Sequence, residues 1–285
     1  MKKQGVIMRR AALSAVFLLT AATAWAGDRI ISAGSGITEL INALGAEDQL
    51  VAVDITSKTY VNDDIPKLGY HRQLSAESII SLAPDHLMGS EEMGPESTLS
   101  LLRQAGIQVD ILNSGETIAD LMQRIHQVGQ LTGKTHKAEA LAADVQDRVS
   151  KIEQRVANQK NRKRVLFLTI HGGRAPMVGG SKTTADTLIQ LAGATNPAAQ
   201  QVEAYKPLST EAMIDMQPDV ILLSTHTSQA IGGIDGLLKT MPLLAATPAG
   251  QNKAIITVDG TALIGGLNLK TLEEAERLNQ KLYGH

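Results

Sequence analysis

"QLSAESIISLAPDHLM" spans Gln73 to Met88, and "PLSTEAMIDMQPDVIL" spans Pro207 to Leu222. The two match at Leu74/Leu208, Ser75/Ser209, Glu77/Glu211, Ile80/Ile214, Pro84/Pro218 and Asp85/Asp219. In each copy a serine stands where a helix N-cap belongs and apolar residues follow at three- and four-residue spacing. A proline then stops the helix and an apolar run continues as a strand. A second pair of stretches echoes in the same order, "GSGITELINALGA" (34–46) and "GSKTTADTLIQLAGA" (180–194), each after an apolar run, "RIISAG" or "RVLFLTI". The runs read as buried strands of the parallel type, and the segments after them as helices ending at Gly45 and Gly193.

The chain therefore reads as an α/β fold of two similar lobes, each with a parallel central sheet covered by helices, and a ligand cleft between them. The Pro-free stretch from Glu116 to Arg164, rich in Ala, Leu, Gln, Glu and Lys, reads as a long connecting helix broken near Gly133. The boundaries expected are 27–130 for the N-terminal lobe, 131–162 for the connecting helix and 163–285 for the C-terminal lobe. A single stiff helix between lobes predicts that they move little against one another.

The first residues carry Lys2, Lys3, Arg9 and Arg10 ahead of a short apolar run that closes on Ala24-Trp25-Ala26. That pattern reads as a secretory signal peptide over 1–26, with no cysteine nearby to take a lipid. The expected product is an exported periplasmic monomer with no stable membrane insertion after cleavage. The whole chain has a formal charge of −2, and loss of the four basic leader residues makes it more acidic, which argues against a nucleic-acid partner. With no cysteine at all, an oxidising compartment contributes no disulfides, so core burial has to supply the stability. Aromatic residues are scarce, which counts against a carbohydrate stacked on ring faces and makes each tyrosine worth questioning.

Two nucleotide motifs fail on inspection. "GSGITE" puts Glu39 where a dinucleotide fingerprint needs its third glycine, and a carboxylate there repels a pyrophosphate. "VGGSKTT" has Ser181 in place of the glycine before Lys182 that a phosphate loop requires.

The residues that can carry chemistry cluster ahead of the two repeats. "KLGYHRQLSAE" places Tyr70, His71 and Arg72 in a loop expected to open on the cleft, and in an extended segment Tyr70 and Arg72 point the same way. A guanidinium beside a phenol favours the phenolate, a hard donor suited to ferric iron and one of the few side chains that ligate haem iron axially. A tyrosine packed at a lobe edge beside a solvated arginine accounts for the same residues. In "TIHGGRAPMVGG", His171 ends a strand before two glycines and reads either as a second ligand or as a turn histidine. Arg174, Lys182 and Lys206 can meet the carboxylates of an anionic ligand or stand as solvated charges. His226 closes the strand after the second repeat. Met88 and Met93 follow the first repeat helix and either line an apolar pocket or fill core. Glu77 and Glu211 fall in the first helical turn, where a carboxylate gains about 0.3–1 kcal/mol from the helix dipole. Their exact echo in both lobes also suits two acids presented to a two-fold partner.

On "GYHRQLSAE", with Tyr70, Arg72, Leu74, Ala76 and Glu77, on "HGG" with "PM" at 171–177, and on "YKPLSTE" at 205–211, the chain resembles a known family. It is similar to the periplasmic haem-binding proteins of bacterial haem ABC importers, within the helical-backbone, class III substrate-binding proteins. The resemblance covers essentially the whole mature chain. It implies Tyr70 as axial iron ligand, Arg72 as support for the phenolate or a propionate, and His171 as a second ligand, possible also for a second stacked haem. It implies a haem contact at His71, Arg174, Lys206, Tyr205 and Met88, haem b as the transported ligand in one or two copies, and Glu77 and Glu211 docking on the permease dimer. Some relatives carry a hydrophobic residue where His71 stands, which opens the question of a competing iron ligand. The same fold also serves a ferric siderophore, cobalamin, or a bare divalent metal, here on His71, His171 and His226. An exported enzyme using His171 as general base is the least supported reading, because no nucleophile elbow, paired acid and base or cofactor fingerprint accompanies it.

Overall fold

The computed structural model describes residues 28–157, 159–170 and 175–284. The signal peptide expected over 1–26 lies outside them. In the N-terminal lobe the order is β1 (Ile30–Ala33), α1 (Ser35–Ala43), β2 (Leu50–Val53), α2 (Ala76–Ile80), β3 (His86–Ser90), α3 (Glu96–Gln104) and β4 (Gln108–Leu112). The sheet runs β2-β1-β3-β4, parallel throughout. Then come α4 (Ile118–Leu131) and α5 (Thr135–Ala157). The C-terminal lobe holds β5 (Val165–Thr169), β6 (Met177–Gly179), α6 (Thr184–Leu191), β7 (Tyr205–Pro207), α7 (Thr210–Asp215), β8 (Val220–Ser224), α8 (Thr225–Ile231), α9 (Gly233–Thr240), α10 (Pro248–Gln251), β9 (Ile255–Val258) and α11 (Leu269–Tyr283).

The second sheet runs β7-β6-β5-β8-β9, with β5, β8 and β9 parallel. It is not parallel throughout as expected, because β6 runs antiparallel to both β5 and β7. The inner strands β1, β3, β5 and β8 are buried on both faces, which is why they read as continuous apolar runs. Along β5, Val165 and Phe167 join one apolar cluster while Leu166 and Leu168 join the other.

The repeat is carried into atomic detail. Ser75 caps α2 by accepting from the Ser78 amide, and Ser209 caps α7 by accepting from the Ala212 amide. Asp85 Oδ2 accepts from the Arg29 amide at 2.8 Å, and Asp219 Oδ2 accepts from the Arg164 amide at 2.8 Å. The residue before each proline turns left-handed, Ala83 at φ 45° and Gln217 at φ 44°.

The connection between lobes differs from a single strut. At Gly133, φ 67°, the chain folds back, so α4 packs along α5 rather than continuing it, and any side chain at Gly129 would collide with Ala138. The connecting helix is α5, which covers Thr135–Ala157 and not 131–162, about 34 Å of helix. It is braced by α11, whose Leu272 joins the N-terminal lobe's apolar cluster while Ala275 and Leu278 join one of the C-terminal lobe's. Arg148 of α5 reaches Glu276 of α11 with two charge-assisted hydrogen bonds of 3.0 and 3.1 Å. Among the described residues no helix is long and apolar enough to cross a membrane.

Candidate functional site

The segment after the 3-10 stretch Ile55–Tyr60 returns along β2, where the Leu68 amide donates to the Val53 carbonyl at 2.7 Å. It ends in a 3-10 turn, His71–Gln73, entered from an extended Tyr70. His71 points inward and is 2% exposed; its Nδ1 lies 2.9 Å from Asp54 Oδ2 and its Nε2 3.6 Å from Glu92 Oε2. Asp54 also accepts from the Gly34 amide at 3.1 Å and from the Thr56 and Ser57 hydroxyls at 2.8 Å each. Burial pushes its carboxyl up, but the bonds from His71, Ser57 and Thr56 outweigh that and hold it below the usual carboxylate value. With His71 committed to the interior, its neighbours turn outward. Tyr70 is 42% exposed, and Arg72 pairs with Glu92 at the surface.

Tyr70 and Arg72 line one wall of a cleft of about 460 Å³, with Glu92, Ser114 and Glu116 from the same lobe. The facing wall is Lys182, Thr183, Thr184, Ala204, Tyr205 and the segment Leu263–Gly266. Tyr205 opens β7 and meets Phe167 edge-on, ring centroids 6.1 Å apart. Burial pushes its phenol up to about 12, helped by the charge of Glu116 and opposed by the Ala185 amide and Thr183. Glu116 Oε1 accepts from Thr184 Oγ1 at 2.8 Å across the lobes, while its Oε2 is buried with no hydrogen-bond partner among the described residues. Burial raises this carboxyl, against the Thr184 bond and the Arg124 charge. Lys182, left-handed at φ 57°, pairs with Glu203 at 3.1 Å. At Gly266, φ 82°, a side chain would run into the Ser114 carbonyl, so the two walls approach here only through glycine.

The cleft thus gathers Tyr70, Arg72, Lys182 and Tyr205 from the residues named from sequence. Three others stand elsewhere or turned away. His71 is buried under the turn with both ring nitrogens facing carboxylates, so it is not open to a cargo. Met88 is wholly buried in β3 and packs in the N-terminal core, since β3 is an inner strand covered on both sides. Lys206 is exposed on β7, but strand alternation turns it to the face opposite Tyr205, and Lys182 supplies the ammonium at the cleft instead. His171 and Arg174 lie outside the described residues. His226 does not close β8, which ends at Ser224, but stands in the first turn of α8 and lines a neighbouring polar depression of about 710 Å³ with Thr225, Gln229, Thr257 and Asp259, which meets the cleft at Ile264. Among the described residues no three His, Asp or Glu side chains are grouped to hold a metal ion. Glu77 and Glu211 are exposed in the first turns of α2 and α7.

Glu92, Glu116, Thr183, Thr184 and Gly265–Gly266 escaped the sequence reading. "ETIAD" and "KTTAD" did carry a signal, because each writes a threonine N-cap, Thr117 or Thr183, at the mouth of the cleft.

The family model described as periplasmic binding protein matches residues 30–262. The structure is similar to the periplasmic haem-binding protein HutB of Vibrio cholerae, with a TM-score of 0.86 and 50% sequence identity over 90% of this chain and 99% of that one. It is similar to the periplasmic haem-binding protein BhuT in complex with two haems, with a TM-score of 0.80 and 33% identity over 90% of this chain and 99% of that one. In sequence the chain is 24% identical over 200 residues to the vitamin B12-binding protein of Vibrio parahaemolyticus, covering 70% of this chain and 71% of that protein.

Proposed function

This chain belongs to the periplasmic binding protein family, and on that premise we propose that it captures haem in the cleft between its lobes and delivers it to the permease dimer of an ABC importer. The observation that carries this reading is Tyr70, a phenol held outward by its buried neighbour at the wall of a cleft large enough for a planar macrocycle. The donor set fits ferric haem. A phenolate oxygen is a hard ligand for iron, Leu263 and Ile264 offer apolar contact to a porphyrin face, and Arg72 and Lys182 offer charge to propionates. Tyr70 is the axial ligand, His171 a second one, and Arg174 a further propionate partner. Tyr205 meets the macrocycle from the second lobe. Glu77 and Glu211, one exposed acid at the same point of each repeat, dock on the permease. The chain works as a monomeric binding protein and performs no chemistry on its cargo.

Likeness to proteins described as binding haem supports haem over other cargo, and likeness to a B12-binding protein supports cobalamin as the second reading. Haemin titration of the exported chain, followed by absorbance, separates them. The expected result is a saturating spectrum of phenolate-ligated ferric haem at one or two equivalents of haem b. Saturable uptake of cobalamin, or of a ferric siderophore, with no response to haemin would replace the cargo and leave the transport role standing.

A further inference from the structure

We propose that Glu39 is a positioning residue of the cleft: from the N-terminal lobe it holds the start of α11, and through α11 it sets the Leu263–Gly266 wall. Glu39 is buried on α1 among Ile37, Leu40 and Ile41, an acid inside an apolar helix face. Its two oxygens accept from consecutive backbone amides at the first turn of α11, Oε2 from Leu269 at 2.9 Å and Oε1 from Lys270 at 2.9 Å. The next amide, Thr271, is taken by the Asn268 cap. The start of α11 therefore depends on a side chain from the other lobe for two of its free N–H groups.

The route onward to the cleft is short. Asn268 Nδ2 donates to the Thr261 carbonyl at 3.3 Å and the Ile264 carbonyl at 3.1 Å, and Thr271 Oγ1 donates to the Ala262 carbonyl at 2.7 Å. The wall segment is thus tied to the first turn of α11. It also lies against Gly36 of α1, where a Cβ would sit 3.6 Å from the Gly265 carbonyl oxygen. Loss of the Glu39 bonds frees the helix start and, with it, the wall.

The groups facing Glu39 are Tyr60 from the Ile55–Tyr60 segment, its hydroxyl 3.5 Å from Oε1, Lys270 on α11 and Arg124 on α4, with Asp259 acting on Tyr60. Burial pushes Glu39 up to about 7, against the two backbone bonds, Tyr60 and Lys270. Detached into water it titrates as an ordinary carboxyl. The attached form therefore holds its proton to higher pH, and detachment is easier at pH 8 than at pH 5.5, on the order of tenfold.

Hydrogen exchange on the full exported chain tests this. In wild type, the protection of the Leu269 and Lys270 amides is expected to be about tenfold greater at pH 5.5 than at pH 8, a profile that needs no variant. In Glu39→Gln, which cannot ionise and puts an NH2 donor where one of the two accepting oxygens stood, that pH slope disappears and the amide that loses its acceptor exchanges at least tenfold faster at pH 5.5, while the β5 and β8 amides keep their protection. Haemin affinity falls about three- to tenfold with the phenolate-ligated spectrum unchanged. Wild-type protection at both amides in Glu39→Gln, or the same pH slope in both proteins, overturns the proposal. The cargo effect rests on the haem reading: a wild type that takes no haemin ends that reading, and the exchange data then decide the role of Glu39 alone.

Discussion

Asp54 Oδ2 lies 2.9 Å from His71 Nδ1, directly under the turn that Tyr70 enters. Because Asp54 also binds the Gly34 amide at the end of β1 and the hydroxyls of Thr56 and Ser57, it joins three segments at one buried carboxylate. The outward stance of Tyr70 is a consequence of this knot. Asp54→Ala leaves four donors without their acceptor, so unfolding stability is expected to fall by about 1–3 kcal/mol and haemin affinity by about tenfold. Urea melts and haemin titration check both. The carboxyl is held below its unfolded value, so its contribution is fully present above about pH 4 and is lost as pH falls below that. A variant as stable as wild type at neutral pH, with the same acid midpoint, removes Asp54 from this role.

Tyr70→Phe keeps the ring and deletes only the oxygen. Since Tyr70 is exposed and makes no buried hydrogen bond through its hydroxyl among the described residues, stability is expected to stay within about 0.5 kcal/mol of wild type. The charge-transfer band of phenolate-bound ferric haem disappears, and affinity falls by about a hundredfold or more. Visible spectra and equilibrium titration read the two effects separately. An unchanged band assigns the iron to another side chain, with His171 the first to examine.

Why some of this was legible in the sequence and some was not follows from the range of each interaction. Ser75, Pro84 and Asp85, with Ser209, Pro218 and Asp219, act on residues a few positions away or on the adjoining strand, so the repeat predicts their roles. The Gly45 and Gly193 helix stops are equally local, at φ 62° and 78°. His71 looked like a cleft residue because its partner, Asp54, sits in a different turn, and no local pattern pairs them. Met88 shows the same blindness: an apolar residue ending a repeat suits core and pocket alike, and only the position of β3 inside the sheet decides. Glu116 and Thr184 meet across the lobes, as do Glu39 and the start of α11, and such meetings exist only once both lobes are folded.

Glu77 and Glu211 are exposed and make no side-chain hydrogen bond among the described residues, so their loss costs the fold little. Each is expected to cost about 0.3–1 kcal/mol of helix-dipole energy. The double variant Glu77→Ala/Glu211→Ala is expected to bind haemin as wild type does and to fail in transporter-dependent uptake. Uptake into cells or vesicles carrying the permease, measured beside haemin affinity of the purified chain, separates docking from capture. Normal uptake by the double variant returns both acids to a purely helical role.

Glu116 adds an acid to the cleft wall. Its Oε1 is satisfied by Thr184, its Oε2 is buried without a partner among the described residues, and its charge raises the phenol of Tyr205. A haem propionate entering this cleft meets Arg72 and Lys182 as attraction and Glu92 and Glu116 as repulsion. Glutamine keeps an oxygen for the Thr184 hydroxyl and removes the charge, so Glu116→Gln isolates its share of the repulsion. At pH 8, losing one like charge near a propionate is worth about 1 kcal/mol, roughly fivefold tighter haemin binding. Because burial raises the wild-type carboxyl, the gain shrinks as pH falls and Glu116 takes up its own proton. Haemin titrations of both proteins across that range test the sign directly. Weaker binding by Glu116→Gln at pH 8 means that the carboxylate contacts the cargo as an acceptor or holds the lobes in their binding arrangement.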